Sequence, residues 1–379
     1  MTPQDIEIAV IGGGLGGAAL GHFATAAGLE AHVFERAARF QPLGAGIHVT
    51  PNVGRLLKRG GVFGRLQARG LRCDAFLSRD GLSGAELCVH ALADAGGDAD
   101  RAEYLTIHRG DLHLALVEAI APGHLHFGHE LIGLEELPDG FRLSFRNGRQ
   151  LRARRVIGAD GIHSRVRRHL KPDDAPPAYS GQAAFRGIVD VADLGERPTH
   201  DLTKWWAPDR FVIAYYIDRA RSRFYFVAGF PQGDWTSPES SMPAGRDELL
   251  SRFSDFHPEV RAILNAAPAE LRKWALFERA PDTFWHRGRI ALIGDACHPM
   301  RPHMAQGAAM AIEDAAVLTR CLLGCDDGDP AGAYGIYART RRDRTARVQT
   351  LSGRNTWLRG PEETDWLYSH DAWKTPLSA

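Results

Sequence analysis

Residues 5–36 read DIEIAVIGGGLGGAALGHFATAAGLEAHVFER, and the order of features along them decides the fold. Ile6, Ile8, Ala9, Val10 and Ile11 form a near-continuous apolar run, the pattern of a parallel strand buried on both faces. Gly12, Gly14 and Gly17 follow in G-x-G-x-x-G spacing. Leu15 then opens a small-residue helix over 15–27, with Gly28 placed to end it. Residues 31–34 give a second apolar strand, and Glu35 stands at its carboxyl end. Each part has a physical task. Gly12 permits the tight turn, Gly14 lets a pyrophosphate approach the backbone, and Gly17 lets helix and strand pack closely. The helix start presents unpaired N–H groups and a positive dipole end to phosphates. Glu35 is placed to accept hydrogen bonds from an adenosine ribose, and its charge repels a ribose 2′-phosphate. The stretch predicts a Rossmann-type βαβ unit that binds a dinucleotide. No second such motif follows a strand, so one dinucleotide is expected on this unit.

The rest of the composition narrows the class. A chain of 379 residues suits two domains, and 44% hydrophobic residues suffice for a globular core. Lys+Arg and Asp+Glu both total 46, a balance that predicts neither nucleic acid nor an anionic membrane as partner. The five cysteines are odd in number and scattered, unlike a disulfide framework. Cys321 and Cys325 are four apart on a predicted helix and read as buried thiols; no metal site is predicted. No apolar run approaches the ~20 residues of a membrane span, and the N-terminus lacks a signal peptide's basic start. A soluble cytoplasmic protein is expected.

Along the chain, RFQPLGAGIHVTPN (39–52) reads as a Gly/Pro-bearing loop, and residues 53–70 as two short helices around a turn. DAGGDAD (94–100) reads as an exposed turn, and YLTIHRGDLHLALVEAI (104–120) as a strand passing into a helix. Residues 125–157 read as β-structure with a hairpin turn at Asn147-Gly148. Between 180 and 277 the texture changes to AAFRGIVDV, KWW, RFVIAYYI and RFYFVAGF, aromatic and β-branched runs that predict an antiparallel sheet. RIALIGDA (289–296) returns to the first style, and helices are predicted over 307–323 and 331–354. The basic block ARTRRDRTAR (338–347) reads as a solvated helix face. The predicted class is α/β: a nucleotide-binding domain over 1–72, 105–179 and 280–355, an inserted antiparallel-sheet substrate domain over 73–104 and 180–279, C-terminal helices, and a tail over 356–379.

Three motifs stand in one order: GGGLGG (12–17), GADGIHSRVR (158–167) and GDACHPMRPHMAQGA (294–308). Together they resemble the single-component FAD-dependent aromatic hydroxylases, the flavoprotein monooxygenases of the 4-hydroxybenzoate hydroxylase type, over the chain to about residue 355. GAGIHVTPN, YLTIHRGDL and RPHMAQGAAMAIEDAAVLTRCL are most similar to the branch acting on 6-hydroxynicotinate, with the salicylate hydroxylases next. The resemblance implies bound FAD, NADH or NADPH as co-substrate, and O₂, which forms a flavin C4a-hydroperoxide that hydroxylates an aromatic or N-heteroaromatic carboxylate, with or without loss of the carboxyl group. Monomer and homodimer both remain open.

The resemblance also implies sites. Asp295 matches the residue that holds ribityl hydroxyls, and Pro302, Gly307 and Ala308 match the loop and helix opening at the flavin N1–C2=O edge. Arg109 resembles the family's arginine near the flavin. Arg36 and Leu131 resemble contacts to the adenosine half, and Asp160 resembles a link between the pyrophosphate region and nicotinamide binding. Where the family has Gly-Gln-Gly, this chain has Ala305-Gln306-Gly307. Among 17 histidines, His48 and His303 lie in motifs expected to face the flavin ring. His48 is expected to take or relay the substrate's hydroxyl proton and to titrate near pH 6–7. Tyr215, by resemblance to a substrate-contacting tyrosine, is expected in the pocket, with Tyr216 turned to packing. Leu202 and Phe211 stand where the hydroxynicotinate branch has polar residues, which favours a more apolar wall. Alternatives are a salicylate-type hydroxylase, another flavoenzyme on the scaffold, or a non-catalytic FAD-binding redox sensor. The halogenase signature Trp-x-Trp-x-Ile-Pro is absent.

Overall fold

A computed structural model describes residues 4–42, 44–92, 102–195, 198, 200–237, 239–324 and 330–378. The DAGGDAD segment and Cys325 lie outside the described residues. The chain runs β1 (Gln4–Ile11), α1 (Leu15–Ala26), β2 (Ala31–Phe34), β3 (Gly46–Val49), α2 (Pro51–Arg59), α3 (Phe63–Arg69), β4 (Leu71–Arg72), β5 (Ala75–Asp80) and β6 (Glu86–Ala91). Then come β7 (Leu105–His108), α4 (Arg109–Val117), β8 (Leu125–His126), β9 (Leu131–Leu137), β10 (Gly140–Phe145), β11 (Gln150–Gly158), α5 (Arg165–Leu170), β12 (Ala178–Asp190), β13 (Leu202–Trp206) and β14 (Phe211–Tyr216). The last part holds β15 (Arg223–Pro231), β16 (Ser241–Gly245), α6 (Arg246–Arg252), α7 (Pro258–Asn265), β17 (Glu270–Glu278), β18 (His286–Arg287), β19 (Ile290–Leu292), α8 (Gly307–Leu323), α9 (Pro330–Arg354) and α10 (Asp365–Tyr368).

β1, apolar from Ile8 to Ile11, sits inside a sheet ordered β18-β19-β11-β1-β2-β8, with parallel partners β11 and β2 on its two sides. Its glycine turn is stereochemically demanding. Gly12 has φ +106°, and a Cβ there would lie 2.4 Å from the Ala159 carbonyl oxygen. A Cβ on Gly17 would lie 1.9 Å from the Gly12 carbonyl oxygen, so the helix meets the turn only because neither residue has a side chain. Residues 39–52 are not one loop, as their Gly/Pro content suggested. Residues 46–49 pair with β7 in a small antiparallel sheet, and Pro51 begins α2, where its missing N–H costs nothing.

The second sheet is ordered β16-β17-β12-β15-β14-β13-β5-β6. It is antiparallel except that β13 and β5 run parallel, which makes it mixed rather than wholly antiparallel. The long excursion between those strands permits the crossover that a parallel pair needs. Period-two alternation sends its faces to different cores. Tyr215 and Tyr225 belong to the core shared with the first sheet, while Tyr216, Phe224 and Trp205 pack with α6 and α7 on the other side. Residues 356–378 fold back onto the body: Arg55 donates to the Tyr368 carbonyl at 2.8 Å, and Arg320 to those of Ala372 and Thr375 at 2.9 and 2.8 Å.

The basic block on α9 corrects the reading of a solvated face. Arg341 is 1% exposed and Arg344 turns inward with it, because α8 places Glu313 and Asp314 in the core and those carboxylates need counter-charges. Arg339, Arg342 and Arg347 keep the solvated character, Arg342 being 43% exposed beside Asp343. Among the described residues, no helix is long and apolar enough to cross a membrane.

Candidate active site

A cavity of about 490 Å³ opens where the glycine turn, the β3-β7 ladder and the second sheet converge. Its lining includes Gly14, Leu15, Arg109, Asp295, Pro302, Gly307 and Ala308 on one side, and His48, Tyr104, Lys204, Phe211, Tyr215 and His303 on the other. The first side offers charge and unpaired backbone. α8 starts at Gly307, so the N–H groups of its first turn have no partner within the helix and its dipole faces the cavity. Asp295 and Arg109 both reach the cavity without a hydrogen bond to any described side chain. Burial raises the Asp295 carboxyl, with His298 and Arg109 opposing, and it lowers Arg109 against the pull of Asp295.

A buried network fixes this side from behind. Asp314 accepts from the Gly294 N–H at 3.0 Å and from His298 Nε2, and its other oxygen accepts from Arg341 Nε at 2.8 Å. Burial alone lowers the His298 pKa; the Asp314 carboxylate outweighs that and holds it well above the ordinary value. Cys297, His298 and Asp314 lie close enough to share an ion, but both Asp314 oxygens are already taken by cationic donors and an N–H. Asn52 Nδ2 donates to Glu313 at 2.7 Å and to Gln306 at 3.2 Å, and Gln306 Nε2 reaches Thr50 Oγ1 at 3.2 Å. The turn before α8 is thereby tied to α2. Within it Ala305 has φ +55°, a left-handed conformation that favours the family's glycine.

The other side is aromatic. The His48 ring stands edge-on to Tyr215 at 4.4 Å, and its Nδ1 is 2.6 Å from Tyr104 Oη. Tyr104 is in turn hydrogen-bonded to Tyr368. His303 donates from Nδ1 to the Ser352 carbonyl at 2.8 Å, which leaves Nε2 as an unprotonated acceptor with no partner among the described residues. Burial lowers both histidines to about 3, for His303 with help from the Lys204 charge. This corrects the expectation that His48 titrates near 6–7: in a dry aromatic pocket the imidazolium loses its hydration. A stability consequence follows. Unfolded histidines take up protons near pH 6.5 whereas these two do not until about 3, so stability is lost as pH falls from about 6.5 to 3. Urea unfolding at several pH values should show that slope, and a His48→Gln, His303→Gln protein should show a shallower one.

An FAD-binding-domain family model matches residues 5–351 of this chain. The chain belongs to the FAD-dependent monooxygenases. It is 43% identical over 372 residues to a 6-hydroxynicotinate 3-monooxygenase of Bordetella bronchiseptica, covering 98% of this chain and 97% of that one. It is 39% identical to the enzyme of the same name from Pseudomonas fluorescens, covering 99% and 97%. A salicylate hydroxylase substrate complex shares the fold with a TM-score of 0.82 at 23% identity, covering 97% and 96%.

The monooxygenase's residues fit the flavin dinucleotide. Asp295 is an acceptor on the cavity wall with no partner of its own among the described residues, as ribityl hydroxyls require, and a Cβ on Gly14 would meet nothing within 4 Å. Ten predicted residues converge on the cavity: Gly14, Leu15, His48, Arg109, Tyr215, Asp295, Pro302, His303, Gly307 and Ala308. The others do not line it. Gly12 and Gly17 shape the turn, and Glu35 accepts from the Gly13 and Ala37 N–H groups, each at 2.8 Å. Arg36 is exposed and Leu131 is buried at the start of β9. Asp160 spends its carboxylate on Ser164 and on the N–H groups of Arg165 and Val166 at the start of α5. Tyr216 lies in the far core, its hydroxyl donating to the Pro198 carbonyl at 3.2 Å. Sequence reasoning missed Tyr104, Lys204, Trp357 and Tyr368, all on the cavity wall. Lysine within the aromatic run KWW was the readable signal for Lys204; the tail residues carried none.

Asp295→Ala should weaken FAD binding by about 10- to 100-fold, the worth of a charged hydrogen bond, with apoprotein stability almost unchanged. Glu35→Ala should lower both, because its oxygens also satisfy backbone N–H groups. Flavin fluorescence titration and urea unfolding of the two apoproteins separate the cases, and undiminished affinity in Asp295→Ala removes it from the site.

Proposed function

We propose that this monooxygenase hydroxylates a planar aromatic or N-heteroaromatic carboxylate bearing a ring hydroxyl, with 6-hydroxynicotinate as the model compound, using NADH or NADPH and O₂. The observation that carries the reading is His48, held neutral in an aromatic slot with its Nδ1 on Tyr104. Bound FAD supplies the reduction and oxygen-activating chemistry. The chain's residues supply the rest. A ring hydroxyl activates its ring most when deprotonated, and His48 Nε2 is the acceptor for that proton. For Nε2 to accept, Nδ1 must carry its hydrogen and donate it to Tyr104 Oη, which passes its own toward Tyr368. Tyr215 buttresses the imidazole, and Ile213, Phe211 and Val227 keep water away from the ring.

In this reading residues 1–72, 105–179 and 280–355 carry the cofactor, and residues 73–104 and 180–279 carry the substrate wall. Asp160 acts by fixing the turn between Ala159 and Gly161, both on the cavity wall. Dependence on NADH or NADPH fits a cytoplasmic enzyme. A salicylate-type substrate is the second reading, favoured by the apolar Leu202 and Phe211. The test is NADH and NADPH oxidation by the FAD-loaded protein across hydroxybenzoates and hydroxypyridine carboxylates, with product analysis. If none accelerates oxidation or yields a hydroxylated ring, the hydroxylase reading fails.

A further inference from the structure

Lys204 stands on β13 with its side chain in the cavity, and it is only 2% exposed. Lysine is almost never buried this deeply without a carboxylate, because the ammonium loses its hydration on burial. Among the described residues no carboxylate pairs with it. Its Nζ donates to Asn355 Oδ1 at 2.9 Å and otherwise lies over aromatic faces, 3.6 Å from the Trp206 centroid and 4.6 Å from that of Phe211. Burial therefore holds its pKa well below the ordinary value, and no neighbouring negative charge opposes that. The cavity wall beside it is unsatisfied in the same sense. Trp357 Nε1, a buried donor on that wall, has no partner among the described residues.

Strand register places this donor relative to His48. In the β13–β14 ladder Leu202 pairs with Tyr215, Lys204 with Ile213 and Trp206 with Phe211. His48 packs on Tyr215, at one end of that run. Nζ leans over Trp206 and Phe211, at the other end. Tyr215 and Phe211 are four residues apart, about 13 Å along a strand. A ring carrying polar groups on opposite edges, with a hydrogen bond at each end, is of about that length.

We propose that Lys204 is the carboxylate anchor of the substrate and selects acids whose hydroxyl and carboxylate lie across the ring from one another. The proposal rests on the aromatic-acid reading above and deepens it. The arriving carboxylate supplies the counter-charge that the protein withholds, so the binding energy of the pair is realised only with ligand bound. Phe211 and Ile213 put no other polar side chain on this stretch of β14; of the other cationic groups on the cavity wall, Arg301 is paired with Glu278 and Arg186 lies over Trp274. Adjacent placement of the two groups, as in salicylate, satisfies one end of the cavity and leaves the other unmet.

The test uses the FAD-loaded protein and reads ligand binding from the change in the flavin absorbance spectrum, which needs no turnover. The ligands are 6-hydroxynicotinate and 4-hydroxybenzoate, each against its carboxamide, with salicylate as the adjacent isomer. Lys204→Met matches the length without charge, and Lys204→Gln keeps a donor for Asn355. In both, affinity for the two carboxylates should fall about 10- to 100-fold, the usual worth of a charge-assisted hydrogen bond, while the carboxamides change less than about threefold. The wild type should bind salicylate more weakly than 4-hydroxybenzoate. Equal losses for acid and amide, or no loss for either, overturn the anchor and assign Lys204 to packing. If aromatic acids stimulate NAD(P)H oxidation in the wild type yet the variants keep full acid preference, the anchor fails while the hydroxylase reading stands. If no acid perturbs the wild-type flavin or its turnover, both fail.

Discussion

Arg341→Leu is expected to lower the unfolding free energy by about 3–5 kcal/mol, the usual cost of removing one partner from a buried ion pair. The guanidinium is 1% exposed and donates to Glu313 Oε2 at 2.6 Å, to Asp314 Oδ1 at 2.8 Å and to the Met310 carbonyl at 3.3 Å. Leucine fills much of the space but leaves both carboxylates short of a donor in a dry core. Glu313 keeps Arg344 through two bonds of 2.9 Å, so the damage falls more on Asp314. Asp314 also holds the Gly294 N–H, one residue before Asp295, so FAD affinity should fall with stability. Arg342→Leu is the matched control one position along α9. Its partner Asp343 is 92% exposed, and an exposed pair is worth about 0–1 kcal/mol. Urea unfolding of both apoproteins checks the contrast, and equal losses would show that the buried network is not what fastens α9 to the flavin side.

That pair of arginines also marks where sequence reading stops. The β1–turn–α1–β2 unit was legible because its pattern is local: an apolar run, three glycines at fixed spacing and an acid at a strand end. α8 was legible for the same reason, its start and end falling at Gly307 and Leu323 as read. The inward turn of Arg341 was not, because its cause lies on another helix, at Glu313 and Asp314. β3 was hidden in a Gly/Pro-rich stretch, since its partner β7 is some 60 residues away in sequence. Lys204 and Trp357 form one end of the cavity only through the packing of residues 355–358 against β13, a contact with no local signature. Motifs held by the backbone were readable; side chains paired across the fold were not.

His48→Gln is expected to slow substrate-stimulated NAD(P)H oxidation and hydroxylation by about 10²–10⁴-fold, the usual worth of one positioned general base, with FAD still bound. Glutamine preserves the size and a hydrogen bond toward Tyr104 but takes no proton at Nε2. An imidazole held at about 3 is a poor place to store a proton, so the role proposed for His48 is that of a relay. In that role it accepts at Nε2 as Nδ1 releases toward Tyr104, 2.6 Å away, so the ring passes a proton on without resting as an imidazolium. Two consequences separate this from a packing role. The wild-type rate profile should show no inflection from His48 between pH 6 and 7, because the group is neutral throughout that range. Tyr104→Phe, which removes the next carrier while keeping the ring that meets His48 edge-on, should slow the reaction in the same direction. A histidine that only packs against the flavin predicts the reverse: weaker FAD binding in His48→Gln, near-normal turnover at saturating FAD, and no effect of Tyr104→Phe. Turnover in His48→Gln above about a tenth of wild type, measured with FAD saturating, removes His48 from the proton path.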